Sequence, residues 1–145
     1  MRKSVIFASS EAAPYSKTGG LGDVAGALPA ALRELGCDVS VFLPLYRETL
    51  LKGVEIEPTG VSVVVPLGRS MIRVEVMQAG CAAVKTFFIA CDEFYDRSFL
   101  YGTPRRDYFD NLARFTLFSR AVPEAVSALG LKAHIVHAND WQTGL

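Results

Sequence analysis

One stretch gathers residue types able to handle a charged, hydroxyl-rich ligand: Ser16-Lys17-Thr18-Gly19-Gly20-Leu21-Gly22-Asp23-Val24. Glycines let backbone amides approach an anion with no side chain between them. A helix read as starting near Gly22 presents unpaired N–H groups and the positive end of its dipole, which suits phosphate. Lys17 adds a point charge on a flexible stem beside that end. Three motif readings compete. Gly20-x-Gly22-x-x-Ala25 fits the dinucleotide fingerprint formally, but that fingerprint follows its strand directly and requires an acidic residue ending the second strand. Here the loop Ser9–Gly20 intervenes and the second strand ends in Leu43-Pro44. A Walker phosphate loop needs its lysine after the glycines, and Lys17 precedes them. The third reading is a strand-to-helix loop that holds a diphosphate and the sugar attached to it. The plain structural alternative, glycines serving a tight turn, leaves the flanking Lys17 and Asp23 without a reason.

Such a loop needs a strand before it and a helix after it. Ser4-Val5-Ile6-Phe7-Ala8 is a short apolar run of strand formers and predicts a buried strand. The loop carries Pro14 and paired glycines as breakers. From Gly22 to Leu35 the pattern turns helical, with Val24, Leu28, Ala31, Leu32 and Leu35 near helical spacing and Gly36 as the stop. Pro29 predicts a kink there. Val39–Leu43 predicts a second buried strand ended by Pro44, so the opening is a βαβ unit with a parallel pair.

Further on, Val61–Val65, Met71–Met77 and Val84–Ala90 predict strands. Turns at Gly68-Arg69-Ser70 and Gln78-Ala79-Gly80 favour an antiparallel meander grafted onto the parallel sheet. Cys91 to Arg106 reads as a loop, and Asp107–Leu129 as one or two helices with a break expected at Pro123. Ala133–His137 predicts the final strand. The chain then stops where a parallel sheet calls for its next crossover, so this sequence is expected to be a piece of a longer protein.

Composition narrows the function classes. Fifteen Lys and Arg balance 15 Asp and Glu in 145 residues, which argues against an electrostatic footprint for nucleic acid or anionic membrane. With 50% hydrophobic, 21% charged and 10% aromatic residues the chain is a folding domain and not a disordered tail. No apolar run approaches the roughly 20 residues of a membrane span, and Val5–Ala8 is too short for a signal peptide. A cytoplasmic domain is the expectation. Cys37, Cys81 and Cys91 lie far apart without a CxxC, which predicts reduced, semi-buried thiols and neither a disulfide framework nor a zinc site.

Taken together, these residues resemble a known family. Ser10-Glu11-Ala12-Ala13-Pro14 followed by Lys17-Thr18-Gly19-Gly20-Leu21-Gly22-Asp23-Val24 is similar to the N-terminal signature of bacterial glycogen synthases and plant starch synthases, glycosyltransferase family 5. Gly26–Leu32, Leu43-Pro44-Leu45-Tyr46, Tyr95-Asp96-Arg97, Asp110–Phe115 and His137-Ala138-Asn139-Asp140-Trp141 continue the resemblance in the family's order. It implies retaining transfer of glucose from ADP-glucose to the 4-hydroxyl at the non-reducing end of an α-1,4-glucan, with no metal and no further cofactor. It implies a GT-B fold of two Rossmann-like halves with the active site between them. Residues 1–145 would then be the N-terminal half: α/β, mainly parallel, with the meander inserted.

By the same resemblance Lys17 binds the donor, and Gly19 and Gly20 lie against the diphosphate. Asp23 and Asp140, the expected catalytic residues, line the glucose and acceptor side with Tyr101, and Glu11 orients the acceptor. The family's remaining donor-binding Arg and Lys and a glutamate near the sugar belong to the C-terminal half, so this chain is expected to be inactive alone. Physical chemistry agrees in outline. Glu11, Lys17 and Asp140 follow the carboxyl ends of strands, where open α/β sheets collect ligands. A glucosyl transition state develops oxocarbenium character at the sugar and negative charge on the leaving phosphate. Carboxylates answer the first need, and a lysine with a helix N-terminus the second.

Other candidates weigh less. His134 and His137 point to opposite faces of a strand, which opposes a shared metal; His137, at the strand end, is a candidate substrate contact. Trp141 is expected in the core, and Phe109, Phe115 and Phe118 as a packed helical face. Arg105-Arg106-Asp107 reads as a solvated loop and helix start. Two alternatives stand beside the main reading: a non-catalytic glucan- or nucleotide-binding module, and a nicotinamide-dependent oxidoreductase, which Leu43-Pro44 opposes.

Overall fold

The structure, a computed structural model, describes residues 2–145. In chain order it runs β1 (Ser4–Ala8), α1 (Gly20–Glu34), β2 (Asp38–Pro44), α2 (Arg47–Leu51), β3 (Ile56–Leu67), β4 (Ser70–Ala79), β5 (Lys85–Ala90), α3 (Asp92–Tyr95), β6 (Gly102–Thr103), β7 (Arg106–Asp107), α4 (Asn111–Ala128), β8 (Ile135–Ala138) and a 3-10 turn, Trp141–Thr143. Six strands form one sheet in the order β3-β4-β5-β2-β1-β8. The pairs β5–β2, β2–β1 and β1–β8 are parallel, and β3–β4 and β4–β5 are antiparallel. The expected meander is therefore present, joined through β5 to the parallel strands. β6 and β7 make a separate hairpin.

Both faces of the parallel strands are packed, as their near-continuous apolar runs require. Side chains alternate across β1: Ile6 and Ala8 join the cluster under α4, while Val5 and Phe7 join the one under α1. Phe7, Phe42 and Phe88 are wholly buried, each contributing about 1.5–3 kcal/mol by removal from water. The two main helices consequently sit opposite each other across the sheet.

Several expectations need correction. α4 is one helix through Pro123, without the break expected there, and α1 likewise continues as helix past Pro29. Pro123 is exposed while Leu117, Phe118, Ala121, Val122 and Ala125 hold the turns on either side of it against the sheet, so packing offsets the lost backbone bond. The buried face of α1 is Gly22, Ala25 and Pro29; Val24 and Leu35 point to solvent. The segment read as a loop contains α3 and the β6–β7 hairpin, and Arg106-Asp107 lies in that hairpin and not at a helix start. Phe109 is 99% exposed, outside the packed face that Phe115 and Phe118 do form. Trp141 is 55% exposed, its ring edge-on to Phe115 at 5.2 Å. All three cysteines are free, but Cys81 is exposed. No described helix is long and apolar enough to cross a membrane.

Candidate active site

β1 delivers the chain into a loop that folds back on itself. Ser9 donates its amide to Phe42 O at 3.1 Å and its hydroxyl to Glu11 O at 2.8 Å. Glu11 is 3% exposed. Its carboxylate accepts the Thr18 hydroxyl at 3.0 Å and the Thr18 amide, so the two ends of the loop close on one charged group. Ala12 bridges Ser16, and Ala13 donates to Gly22 O at 2.9 Å. Glu11 is therefore a buried clamp that holds Lys17 and Thr18 in place.

The glycines divide into two kinds. A Cβ on Gly26 would stand 2.8 Å from Ala13 O, and one on Gly22 would stand 2.7 Å from Lys17 Cγ. These two let the loop lie directly on α1. Gly19 and Gly20 are different: a Cβ on either meets nothing within 4 Å, and neither is among the glycines with positive φ. Neither packing nor backbone conformation asks for glycine at positions 19 and 20. Lys17 Nζ pairs with Asp23 Oδ1 at 2.6 Å, with side chains 44% and 63% exposed. Such a pair contributes about 0–1 kcal/mol, so the ammonium is free to exchange Asp23 for a phosphate oxygen at little cost.

A second wall faces this loop. A cleft of about 430 Å³ is lined by Lys17, Thr18, Glu48, Phe99, Tyr101 and Asp107, among others. The Tyr101 hydroxyl lies 2.7 Å from Ser10 Oγ. Burial, then the carboxylates of Glu11 and Asp140, push its phenol above the ordinary tyrosine value, against the Ser10 hydrogen bond that lowers it. Tyr101, Glu11 and Asp140 thus share one neighbourhood.

From β8 the chain enters the third part. Asn139 donates to Ala8 O at 2.8 Å, fastening this end to β1. Asp140 adopts φ 64°, a left-handed conformation rare for a residue other than glycine, and accepts Trp141 N at 2.7 Å. Backbone strain of this kind costs on the order of 1–3 kcal/mol and clusters at functional positions. The His137 ring stacks on Phe7 at 4.8 Å with its Nδ1 buried and unpartnered, whereas His134 Nδ1 accepts Ser4 N.

The wall bearing Tyr101 is braced by an ion pair. Arg97 meets Asp110 through two bonds of 2.7 and 2.6 Å, both side chains about four-fifths buried (22% and 18% exposed). The guanidinium holds the Asp110 carboxyl below its usual value. A carboxylate depressed in the folded state contributes stability above its unfolded pKa of about 3.9, and loses it as pH falls through the folded value. Asp110→Asn should therefore cost about 1–3 kcal/mol at pH 7, with the gap closing in strong acid. Urea unfolding at both pH values checks this, and a gap independent of pH contradicts it.

Sequence reasoning quoted Ser10, Thr18, Asn111 and Arg114 within its motifs but gave none of them a role. Arg114 had a visible signal. It falls on the apolar stripe of α4 with Leu117, Phe118, Ala121, Val122 and Ala125, and a charge at such a spacing predicts a buried, bonded group.

Architecture and site define an α/β domain of the parallel, two-sided kind, with its polar loops gathered at the carboxyl ends of β1 and β8. Residues 4–145 match the family described as the starch synthase catalytic domain, and the chain belongs to that family. It is 46% identical over 143 residues to a glycogen synthase of Koribacter versatilis and 42% over 142 residues to one of Syntrophotalea carbinolica, covering 97% and 98% of this chain. It spans 29% of the length of each of those relatives. Its structure is similar to the catalytic domain of starch synthase IV from Arabidopsis thaliana bound to ADP and acarbose, with a TM-score of 0.82 and 30% identity, over 98% of this chain and 28% of that one. The expected fold, a Rossmann-like α/β half of a GT-B glycosyltransferase, holds.

Proposed function

We propose that this chain forms the N-terminal wall of the active site in a glycogen synthase that transfers glucose from ADP-glucose, with retention, to the non-reducing end of an α-1,4-glucan. A C-terminal half of the same polypeptide would complete the cleft. The observation that carries this reading is the pair Gly19 and Gly20: glycines that the fold does not need, at the start of a helix, beside an exposed Lys17. Backbone amides bare of side chains, a helix dipole and a lysine suit the leaving diphosphate, where negative charge accumulates. Glu11 holds that loop in register.

Tyr101, Asp140 and Asp23 take the sugar and acceptor side. Carboxylates there favour the oxocarbenium character of the transferring glucose, and the cleft beside Tyr101 has room for acceptor rings. The likeness to a starch synthase bound to ADP and acarbose supports both halves of the reading, nucleotide and glucan. The shares of 29% and 28% support a longer working polypeptide. With half a cleft, water is not excluded and two substrates are not held together, so the isolated chain should be inactive. The test is incorporation of label from radioactive ADP-glucose into a maltooligosaccharide by the full-length protein. Glucan extended through α-1,4 linkages is expected; no incorporation above the glucan-free control rejects the reading.

A further inference from the structure

The first turn of α4 holds a network that the site described above leaves unused. Arg114 is wholly buried. Its Nε donates to Phe94 O at 2.7 Å, and Nη1 donates to Leu100 O and Asn111 Oδ1, both at 2.8 Å. Nη2 is buried with no partner. The guanidinium lies 5.0 Å from the Tyr108 ring centroid and 5.2 Å from that of Phe115. A guanidinium held by carbonyls and ring faces costs desolvation that an apolar side chain would not. What it supplies is geometry, since one planar fork spans two carbonyls of the segment leading to Tyr101.

Arg114 also fixes which way Asn111 faces. With Oδ1 taken by Nη1, Asn111 Nδ2 donates to Tyr101 O at 2.8 Å, and the Tyr108 amide joins it on the same carbonyl at 2.9 Å. The Tyr101 ring tilts against Phe115 at 5.8 Å, and its hydroxyl reaches Ser10. Tyr101 is thus tied at its backbone to α4 and at its phenol to the loop that follows β1. The geometry points to Asn111, oriented by Arg114, as the positioning residue that sets Tyr101 in the cleft and fixes the distance between the Tyr101 wall and the Lys17 loop. The inference rests on the reading of Tyr101 as lining the sugar and acceptor side.

The test uses the full-length protein. Asn111→Asp keeps an acceptor for Arg114 but sets an oxygen against the Tyr101 carbonyl where an N–H stood. A roughly 10- to 100-fold fall in kcat/KM for a maltooligosaccharide is expected, with KM for ADP-glucose within about twofold. Combined with Tyr101→Phe, the losses should not add: the double variant should lie within about threefold of the worse single one. Additive losses, equal damage to donor and acceptor KM, or a Tyr101→Phe protein with unaltered acceptor kinetics would each overturn the positioning role. If Asn111→Asp does not fold, Asn111→Ala read by hydrogen exchange serves instead. Faster exchange at the amides of residues 101–108, with later turns of α4 unchanged, supports the role, and unchanged exchange at 101–108 overturns it. Failure of the parent reading shows separately, at Lys17.

Discussion

Gly26→Ala in the full-length protein should lower kcat/KM by roughly 100-fold and destabilise the fold by about 1–3 kcal/mol. The added Cβ would stand 2.8 Å from Ala13 O, 3.1 Å from Ala13 Cβ and 3.3 Å from Ala13 N. None of these is the tip of a flexible side chain. The loop cannot retreat without stretching the Ala13 N to Gly22 O bond and the Ala12–Ser16 bridge. Whatever moves Ala13 also moves Lys17 and Thr18, and displacement of about 1 Å at a positioning group is enough for a loss of that size. Gly20→Ala makes the contrasting case. Its Cβ meets nothing, and alanine is the better helix former by about 1 kcal/mol. Stability should hold or rise while ADP-glucose binds less well. Steady-state kinetics with thermal unfolding separates the two, and a Gly26→Ala enzyme within twofold of the parent would refute the close docking of loop on helix.

How much of this was legible in the sequence depends on what each element rests on. β1 was read to the residue, Ser4–Ala8, because a strand buried on both faces is a continuous apolar run bounded by polar residues. The meander was legible from its turns. α2 and α3, of five and four residues, and the two-residue β6 and β7 are too short to show a period. The break expected at Pro123 did not occur because local propensity yields to packing, and packing is long-range. The exposure of Phe109 was hidden for the same reason: an aromatic at helical spacing reads as core whether or not anything covers it.

At the site, the residue types around Lys17 suggested a charged ligand, and the family resemblance implied which one. What the sequence could not show is that Glu11 bonds Thr18 seven residues on, or that Tyr101 meets Ser10 across 91 residues. The first is set by how one loop folds back on itself; the second depends on the sheet order, which brings the loop after β1 together with the wall leading into α4.

The most direct measurement is the pair of KM values of full-length Lys17→Ala, for ADP-glucose and for glucan. Lys17 and Asp23 are 44% and 63% exposed, so removing the lysine should leave stability within about 1 kcal/mol. A charge-assisted bond to phosphate is worth about 1.5–3 kcal/mol, so KM for ADP-glucose should rise roughly 10- to 150-fold, with that for glucan within about threefold. An unchanged donor KM in a folded, active protein would contradict the account, because the loop would then not hold the diphosphate.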